Sequence, residues 1–410
     1  MTGAQPAKLP YGRQHLDDDD IAAVVAVLRG DWLTTGPAVA GFERDFAAAV
    51  GARYAVACSS ATAGLHLAML ALELGPAHAV IVPALTFVAS ANAARYVGAE
   101  VVFADVDPKT GLMGAAELTA AFDRAAGRTV RAIVPVHLNG QCADLEALSA
   151  VAKERGAVLV EDAAHAVGAS YRRSTGMPAP VGSCADSAMA VFSLHPVKTI
   201  TMGEGGVVTT NDASLAGGLG RLRSHGIERE AGKFQNRAYG FEGCIANPWY
   251  YELQALGFNY RATDIHCALG ASQLRKLSRF VAHRRRLLER YAGRLRNLSP
   301  HLSLLPARAQ VEPAWHLAVV MIEFSALGLS RARVMRNLAE RGIGTQVHYI
   351  PVYQHPYYRD LNPGLALPGT EDYYSRCLTL PLSVEMNESD VDRVADGLIE
   401  VCGLQTATPP

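Results

Sequence analysis

One lysine in this sequence stands where a lysine can act as a covalent catalyst. Lys198 lies in a short polar turn between two apolar runs, residues 188–192 and 206–210, and this pattern predicts a strand–turn–strand. A lysine amine attacks a carbonyl compound and forms a Schiff base when partial burial lowers its pKa. The turn also supplies hydrogen-bond donors and glycines that a flat anionic ligand could approach: Ser193, His195, Thr199, Gly203, Gly205 and Gly206. The same pattern is typical of an exposed lysine beside a glycine-rich hairpin.

A carboxylate placed 36 residues earlier favours the catalytic interpretation. Asp162 follows the apolar strand predicted at 158–160, and open α/β sheets bind ligands at the carboxyl ends of their strands. Pyridoxal phosphate needs both groups, since a lysine binds its aldehyde and an acid keeps its ring nitrogen protonated so that the ring acts as an electron sink. Asp162 is equally suited to cap a helix, and the two roles are compatible.

A second ligand-binding pattern lies earlier in the chain. The predicted strand 54–58 leads through small and hydroxyl residues at 59–63 into a predicted helix at 64–74. Free N–H groups and the helix dipole bind phosphate at a helix N-terminus, so this junction predicts a phosphate site. A plain serine or threonine cap is the alternative explanation.

These residues need a sheet that brings strand ends together. Strand-like runs alternate with helix-length segments, the strands being predicted at 54–58, 80–82, 86–90, 101–103, 132–134 and 158–160. This alternation predicts an α/β fold with a mainly parallel sheet covered by helices on both faces. From residue 263 the pattern becomes helical, with further strands predicted at 314–324 and 344–350. We therefore divide the chain into an N-terminal arm (1–16), a large cofactor domain (17–262) and a linking helix with a smaller α+β domain (263–410).

Composition excludes several classes of partner. Half of the 410 residues are apolar and the formal net charge is −1, so no basic field predicts a nucleic-acid partner. The stretch 54–94 carries one charged residue, Glu73, but serine, glycine and proline residues divide it into pieces too short to span a membrane. The N-terminus shows no secretion signal.

The cysteines and histidines predict neither disulfides nor a metal site. Seven scattered cysteines without a CxxC pair favour reduced thiols and a cytoplasmic location. The histidines of the predicted large domain that could suggest a metal are His137, His165, His195 and His225. Their spacing matches no HxH or HxxxH ligand pattern, so we predict no metal.

The residues around Lys198 resemble a known family. The stretch FSLHPVK at 192–198, with GEGG at 203–206, is similar to the signature of the DegT/DnrJ/EryC1/StrS sugar aminotransferases. Five further stretches resemble the members of that family that act in pseudaminic acid biosynthesis. They are PYGRQ at 10–14, DWLTTGP at 31–37, PWYYE at 248–252, GFNYR at 257–261 and GTQVHYIP at 344–351. The resemblance runs from about residue 9 to residue 398, nearly the whole chain.

The resemblance implies a pyridoxal-phosphate enzyme of the aspartate aminotransferase fold, also called fold type I. It assigns the Schiff base to Lys198 and implies cofactor contacts from Thr62, Ala63, Phe87, Gln141, Asp162, His165, Ser193 and Asn259. It implies substrate contacts from Tyr11, Thr34, Arg229, His348 and Tyr349. Phe87 would stack on the pyridine ring, although an aromatic residue at such a position more often packs in a core.

Two of these residues would serve a neighbouring subunit. Asn259 matches the family residue that reaches the partner's cofactor phosphate, and Arg229 would bind a sugar-nucleotide diphosphate. Arg229 is equally consistent with solvated surface. A shared site requires a symmetric homodimer.

The resemblance also implies the two substrates. The amino donor would be L-glutamate, and the acceptor would be a UDP-linked 4-keto-6-deoxy-N-acetyl-L-altrosamine sugar, aminated at C4. Four residues depart from the family's usual pattern in or near the predicted site: Ala61, Leu85, Leu194 and Met202.

Other functions stay open at this point. A sugar 3-dehydratase of the same fold would lack the lysine, which this chain has. A nicotinamide dehydrogenase would need a GxGxxG fingerprint after its first strand, and the sequence has none. A non-catalytic pyridoxal-phosphate-binding regulator would keep the lysine, and enzymes for other nucleotide 4-keto sugars share nearly every catalytic residue.

Overall fold

The structure is a computed structural model, and it describes residues 8–405. Residues 1–7 of the predicted N-terminal arm lie outside the described residues. The helices are α1 (Asp18–Leu28), α2 (Pro37–Val50), α3 (Ala61–Ala71), α4 (Val88–Tyr96), α5 (Ala115–Arg124), α6 (Leu145–Glu154), α7 (Ala213–Leu222), α8 (Arg237–Gly240), α9 (Asp264–Leu274), α10 (Leu277–Leu295), α11 (Arg331–Glu340), α12 (Pro356–Leu361), α13 (Pro368–Arg376) and α14 (Glu388–Val401).

The strands fall into one large sheet and several small ones. They are β1 (Tyr54–Cys58), β2 (His78–Pro83), β3 (Glu100–Ala104), β4 (Thr129–Ile133), β5 (Val158–Asp162), β6 (Ser170–Arg172), β7 (Pro178–Pro180), β8 (Met189–Ser193), β9 (Gly206–Thr210), β10 (Ile227–Glu228), β11 (Phe241–Glu242), β12 (Ile245–Ala246), β13 (Glu252–Leu253), β14 (Leu302–Leu304), β15 (Val311–Glu312), β16 (Ala318–Ile322) and β17 (Cys377–Leu380). The large sheet has the order β1-β9-β8-β5-β4-β2-β3. Strand β9 is antiparallel to both neighbours, and the other pairs are parallel. The predicted α/β fold with a mainly parallel sheet is confirmed.

Helices cover both faces of the large sheet. One face packs against a core that contains Phe42, Phe46 and Phe192, and the other against a core that contains Leu65 and Phe103. Strands β8 and β9 are buried at every position, as expected for strands between two layers of helices. This double covering explains why these strands are apolar without alternation.

The C-terminal part of the chain has a sheet and a core of its own. Strands β14, β16 and β17 form an antiparallel sheet; α10 packs against β14, α14 packs against α10 and α11, and all of them contribute to one core. Leu287, Val334 and Val391 are among the buried residues of this core. The domain limits at residues 16 and 262 remain predictions.

Strand ends from the large sheet meet at one edge. Strand β1 ends at Cys58, β5 at Asp162 and β8 at Ser193, while the antiparallel β9 begins there at Gly206. Gly206 pairs with both Cys58 and Ser193. The edge therefore brings together the three sequence regions in which the lysine, the carboxylate and the phosphate site were predicted.

Several local predictions are wrong or shifted. Residues 86–90 are not a strand, because Phe87 is the N-cap residue of α4 and alanine-rich sequence continues the helix to Tyr96. Residues 344–350 form no strand, and only an isolated bridge joins Gln346 to Thr379. The helix predicted from residue 64 begins at Ala61, one residue after its cap.

Residues 8–405 contain no membrane-spanning helix, no metal-binding cluster and no disulfide. No helix in that range is long and apolar enough to cross a membrane. The same residues contain no group of three or more His, Cys, Asp or Glu side chains that could hold a metal ion. All seven cysteines are free thiols, and Cys244 is the exposed one.

Candidate active site

Lys198 lines a cavity of about 620 Å³ at the edge of the large sheet. It lies in the loop between β8 and β9, where its backbone N–H donates to the carbonyl of His195 at 2.9 Å. The residue is half-buried, and loss of hydration lowers the pKa of its amine from 10.5 to about 8, while the negative charge of Asp162 opposes the shift. A lysine with this pKa is partly unprotonated, and therefore nucleophilic, near pH 8.

Asp162 is buried and lines the same cavity. Its Oδ2 accepts a hydrogen bond from Ser90 Oγ (2.6 Å), and its Oδ1 accepts one from the backbone N–H of Ala164 (3.1 Å). No lysine or arginine of the described chain lies within ion-pair distance of it. Its charge is thus oriented by two neutral donors and left available to a cationic group in the cavity.

The N-terminus of α3 opens on the cavity through Ser60, Ala61 and Thr62. Ser60 caps the helix, since its Oγ accepts from the N–H of Ala63 at 3.1 Å. The N–H groups of Ala61 and Thr62 have no acceptor among the described residues, which is the usual state of a first helical turn. Two free N–H groups at the positive end of a helix form a site for a phosphate.

Gly206 allows this helix end to approach the sheet. A Cβ atom on Gly206 would lie 2.5 Å from the backbone carbon of Ser60 and 2.6 Å from the backbone nitrogen of Ala61. Real Cβ atoms do not approach backbone this closely, so any side chain at residue 206 would displace the α3 loop. Ser193, the pairing partner of Gly206, is buried and lines the cavity beside this loop.

Aromatic side chains form the outer wall of the cavity. Phe87 is 56% exposed, and its ring centroid lies 6.0 Å from that of Tyr349. The rings of Tyr11 and His348 lie 5.5 Å apart. An exposed aromatic ring that lines a cavity, as Phe87 does, suits stacking on a flat ligand ring.

Three histidines beside Lys198 are held in the neutral form. Burial and the charge of Lys198 lower the pKa of His348 to about 3. Burial, with Lys198 and neighbouring histidines, lowers the pKa of His165 and of His316 well below 6.5. Lys198 is therefore the group among these four that carries positive charge at neutral pH.

These residues fit pyridoxal phosphate. The cofactor has an aldehyde, a basic ring nitrogen and a phosphate, and the cavity offers an amine at Lys198, a carboxylate at Asp162 and free N–H groups at the start of α3. The negative carboxylate suits a protonated ring nitrogen, and the positive end of α3 suits the negative phosphate. Phe87 supplies an aromatic surface next to them.

The family model that matches this chain is that of the DegT/DnrJ/EryC1/StrS aminotransferase family, over residues 14–399. The chain belongs to this family. Its DegT/DnrJ/EryC1/StrS relatives are pyridoxal-phosphate-dependent sugar aminotransferases, so the predicted family and fold are confirmed.

Solved structures of DegT/DnrJ/EryC1/StrS aminotransferases superpose on nearly the whole chain. PseC of Helicobacter pylori, an aminotransferase involved in the biosynthesis of pseudoaminic acid, is 26% identical, with a TM-score of 0.85 over 97% of this chain and 99% of PseC. Spr1654 of Streptococcus pneumoniae in its PLP form is 27% identical, with a TM-score of 0.84 over 97% and 99% of the two chains. DesI, solved in the presence of its TDP-sugar product, is 31% identical, with a TM-score of 0.83 over 97% and 93%.

Most residues predicted from the DegT/DnrJ/EryC1/StrS resemblance lie on the cavity. They are Tyr11, Thr62, Phe87, Asp162, His165, Ser193, Lys198, His348 and Tyr349. They come from six separate segments of the chain, which the fold brings together at the ends of β1, β5 and β8.

Two predicted cofactor residues point elsewhere. Gln141 is fully buried but does not line the cavity, because the turn before it directs its Oε1 to the backbone N–H of Arg308 at 2.8 Å. Ala63 does not line the cavity either, and its N–H is used by the Ser60 cap. For Ala63 the helix-cap alternative therefore describes the observed contact.

Three further predicted residues lie away from the cavity of their own chain. Thr34 is exposed and forms an isolated bridge with Thr263. Arg229 is exposed, with its guanidinium 5.1 Å from the ring centroid of Tyr251. Asn259 is exposed as well. The roles assigned to these residues at a partner's site remain predictions.

Sequence patterns missed residues that the fold places at the site. His316 lines the cavity from the segment before β16, and Ser90 holds Asp162 from the first turn of α4. Asn139 contacts His165 from a 3₁₀ turn. The sequence predicts a strand at 86–90, and a helical interpretation of the alanine-rich residues after Phe87 is the one local signal that places Ser90 in a first helical turn. No local sequence pattern connects His316 with the site, because it lies 118 residues beyond Lys198 in the chain.

The four departures from the family pattern have different positions. Ala61 lines the cavity, whereas Leu85, Leu194 and Met202 are fully buried and do not. Met202 packs on Gly205, where an added Cβ would lie 2.2 Å from its sulfur. Leu85, Leu194 and Met202 therefore belong to the packed core next to the cavity and not to its lining.

Proposed function

We propose that this protein transfers the amino group of L-glutamate to C4 of a UDP-linked 4-keto-6-deoxy-N-acetylhexosamine, with pyridoxal phosphate as its cofactor. The observation that carries the proposal is the presence on one cavity of Lys198, with a pKa of about 8, and buried Asp162. In the net reaction glutamate becomes 2-oxoglutarate and the ketone at C4 becomes an amine.

The protein's residues have distinct tasks in this proposal. Bound pyridoxal phosphate supplies an electron sink next to the carbon that exchanges its amine. Lys198 would hold the cofactor at its aldehyde carbon, and its Nζ would carry a proton to and from the carbon that exchanges its amine. Asp162 would hold a proton at the ring nitrogen, while Ser193 and the N–H groups of Ala61 and Thr62 would bind the phosphate.

Two comparisons support a nucleotide sugar as the acceptor. PseC acts in the biosynthesis of pseudoaminic acid, and DesI was solved with a TDP-sugar product. We favour the UDP-linked sugar because residues 31–37, 248–252 and 344–351 resemble the enzymes of the pseudaminic acid pathway. A nucleotide 4-keto sugar with another base is the second candidate, since DesI is similar over 97% of this chain.

The proposal includes a cytoplasmic homodimer with sites shared across its interface. Asn259 and Arg229 are exposed and lie off the cavity of their own chain, so they are free to serve a second subunit. Large apolar side chains near them, Trp249 and Leu256, are 72% and 83% exposed, which favours burial against a partner. The seven free thiols suit a reducing compartment.

The experiment that tests the function uses the holoenzyme. The protein is loaded with pyridoxal phosphate and incubated with L-glutamate and matched UDP- and TDP-linked 4-keto-6-deoxy sugars, and mass spectrometry follows 2-oxoglutarate and the amino sugar. We expect turnover that Lys198→Ala abolishes and that Lys153→Ala, an exposed lysine of α6, leaves intact. Cofactor binding without turnover of any of these sugars would instead support the non-catalytic regulator.

A further inference from the structure

Asn139, His165 and Tyr349 form a chain of hydrogen bonds that starts at buried Asn139 and ends at the cavity, which His165 and Tyr349 line. The backbone N–H of Asn139 lies 3.4 Å from Nδ1 of His165, and Nε2 of His165 lies 3.1 Å from the hydroxyl oxygen of Tyr349. Asn139 and His165 are buried, and the rings of His165 and Tyr349 are stacked with centroids 6.0 Å apart.

The backbone fixes which nitrogen of His165 carries its hydrogen. An amide N–H can only donate, so Nδ1 of His165 must be the unprotonated acceptor. His165 is neutral, because burial and the positive charge of Lys198 lower its pKa well below 6.5. The single ring hydrogen is therefore on Nε2, and it is donated to Tyr349.

This direction leaves the hydrogen of Tyr349 without an acceptor. The hydroxyl of Tyr349 accepts from His165, and no other hydrogen bond to it exists among the described residues. Tyr349 lines the cavity with Lys198 and Asp162. A partly buried hydroxyl that faces a cavity with a free O–H calls for an acceptor supplied by a ligand.

We propose that Asn139 and His165 are positioning residues that make Tyr349 a hydrogen-bond donor to an oxygen atom of the ligand that reacts at Lys198. The inference deepens the proposed function and rests on it for the identity of the ligand. The acceptor oxygen comes either from the cofactor or from the carboxylate of the amino donor, and both present negatively charged oxygen to the cavity.

The first test reads the tautomer directly and needs no activity. Protein without cofactor is labelled with ¹⁵N-histidine, and NMR assigns the His165 signals by comparison with His165→Gln. We expect Nδ1 to be unprotonated and Nε2 to carry hydrogen from pH 6 to pH 8. A hydrogen on Nδ1, or a doubly protonated ring, would overturn the proposal while leaving the proposed transamination unaffected.

The second test compares variants that differ in what they can donate. A glutamine amide reaches the place of Nε2, whereas an asparagine amide reaches only that of Nδ1. We expect His165→Gln to stay within roughly threefold of the native affinity, and His165→Asn and Tyr349→Phe each to weaken binding roughly tenfold, the effect of one hydrogen bond. The double variant His165→Asn/Tyr349→Phe should lose no more than either single one, since both remove the same interaction.

Two probes identify the source of the acceptor oxygen. One is pyridoxal phosphate added to the cofactor-free protein, and the other is L-glutamate added to the loaded protein, both followed by absorbance. Loss of affinity confined to the first probe assigns the oxygen to the cofactor, and loss confined to the second assigns it to the donor carboxylate. Unchanged affinity for both probes in Tyr349→Phe, or equal losses in His165→Gln and His165→Asn, would overturn the proposal, provided that urea unfolding shows each variant to be folded.

Discussion

Ser90 Oγ donates a 2.6 Å hydrogen bond to Oδ2 of Asp162, and this contact joins the first turn of α4 to the end of β5. The N–H of Ala164 binds the other carboxylate oxygen. No helix follows β5, so Asp162 is not the helix cap that its residue type also allowed; it closes the turn after β5 and lines the cavity at the same time. Both hydrogen bonds fix its orientation without neutralising its charge.

The first prediction concerns that carboxylate. We expect Asp162→Asn to bind pyridoxal phosphate but to lose transamination by roughly two orders of magnitude or more, because the amide cannot hold a proton at the ring nitrogen. Ser90→Ala is the matched control, since it removes one hydrogen bond to the carboxylate and should cost roughly tenfold or less. Steady-state kinetics with glutamate measures both, and an unaffected rate in Asp162→Asn would leave that residue only its contact with the turn after β5.

The second prediction concerns the pH dependence of Lys198. The folded protein holds the pKa of this amine at about 8, below its usual 10.5, so the reactive neutral form increases as pH rises towards 8 and levels off above it. In protein without cofactor, the rate of covalent reaction with pyridoxal phosphate should rise roughly tenfold per pH unit from about pH 6 and approach a plateau near pH 9.

Asp162→Asn tests the direction in which Asp162 shifts the pKa of Lys198. The charge of Asp162 raises the pKa of Lys198, so its removal should move the midpoint to lower pH. Lys153→Ala should leave the midpoint in place. A midpoint near the value of a free lysine, or a shift upward in Asp162→Asn, would show that the amine is hydrated and not coupled to Asp162.

The third prediction concerns the approach of α3 to the sheet. In Gly206→Ala the new Cβ would meet backbone of Ser60 and Ala61 at 2.5 and 2.6 Å. We expect a loss of roughly 1–3 kcal/mol in the free energy of unfolding and weaker binding of pyridoxal phosphate and inorganic phosphate. Gly217→Ala is the control, because an added Cβ on that exposed residue of α7 meets nothing within 4 Å and should stabilise the helix.

Urea unfolding and a phosphate titration separate the two effects of Gly206→Ala. Equal stability and equal phosphate affinity in Gly206→Ala and Gly217→Ala would contradict the assignment of the phosphate site to the α3 N-terminus.

The fourth prediction concerns sharing of sites between subunits. Lys198→Ala and Asn259→Ala should each be nearly inactive as homodimers, and a mixed dimer of the two contains one complete site. Mixing the unfolded variants and refolding them together should therefore restore activity to roughly a quarter of native, because half of the dimers are mixed and each has one working site. Activity that stays at the level of the separate variants would show that Asn259 serves its own subunit or none.

Local sequence patterns sufficed to predict the parts of the site that lie at strand ends. Asp162 is the last residue of the apolar strand β5, and Lys198 and the start of α3 follow the apolar strands β8 and β1 after short loops, so each lies where these strands end. The mainly parallel sheet itself followed from the alternation of strand and helix patterns.

Only the tertiary structure decided which other side chains reach these residues. The family resemblance implied that Gln141 contacts the cofactor, yet the turn before it directs its side-chain oxygen to the backbone N–H of Arg308. His316 and Tyr349 reach the cavity from segments more than a hundred residues beyond Lys198. Their positions depend on how two separately packed sheets meet, and no short-range pattern of propensity or hydrophobicity encodes a contact between residues so far apart in the chain.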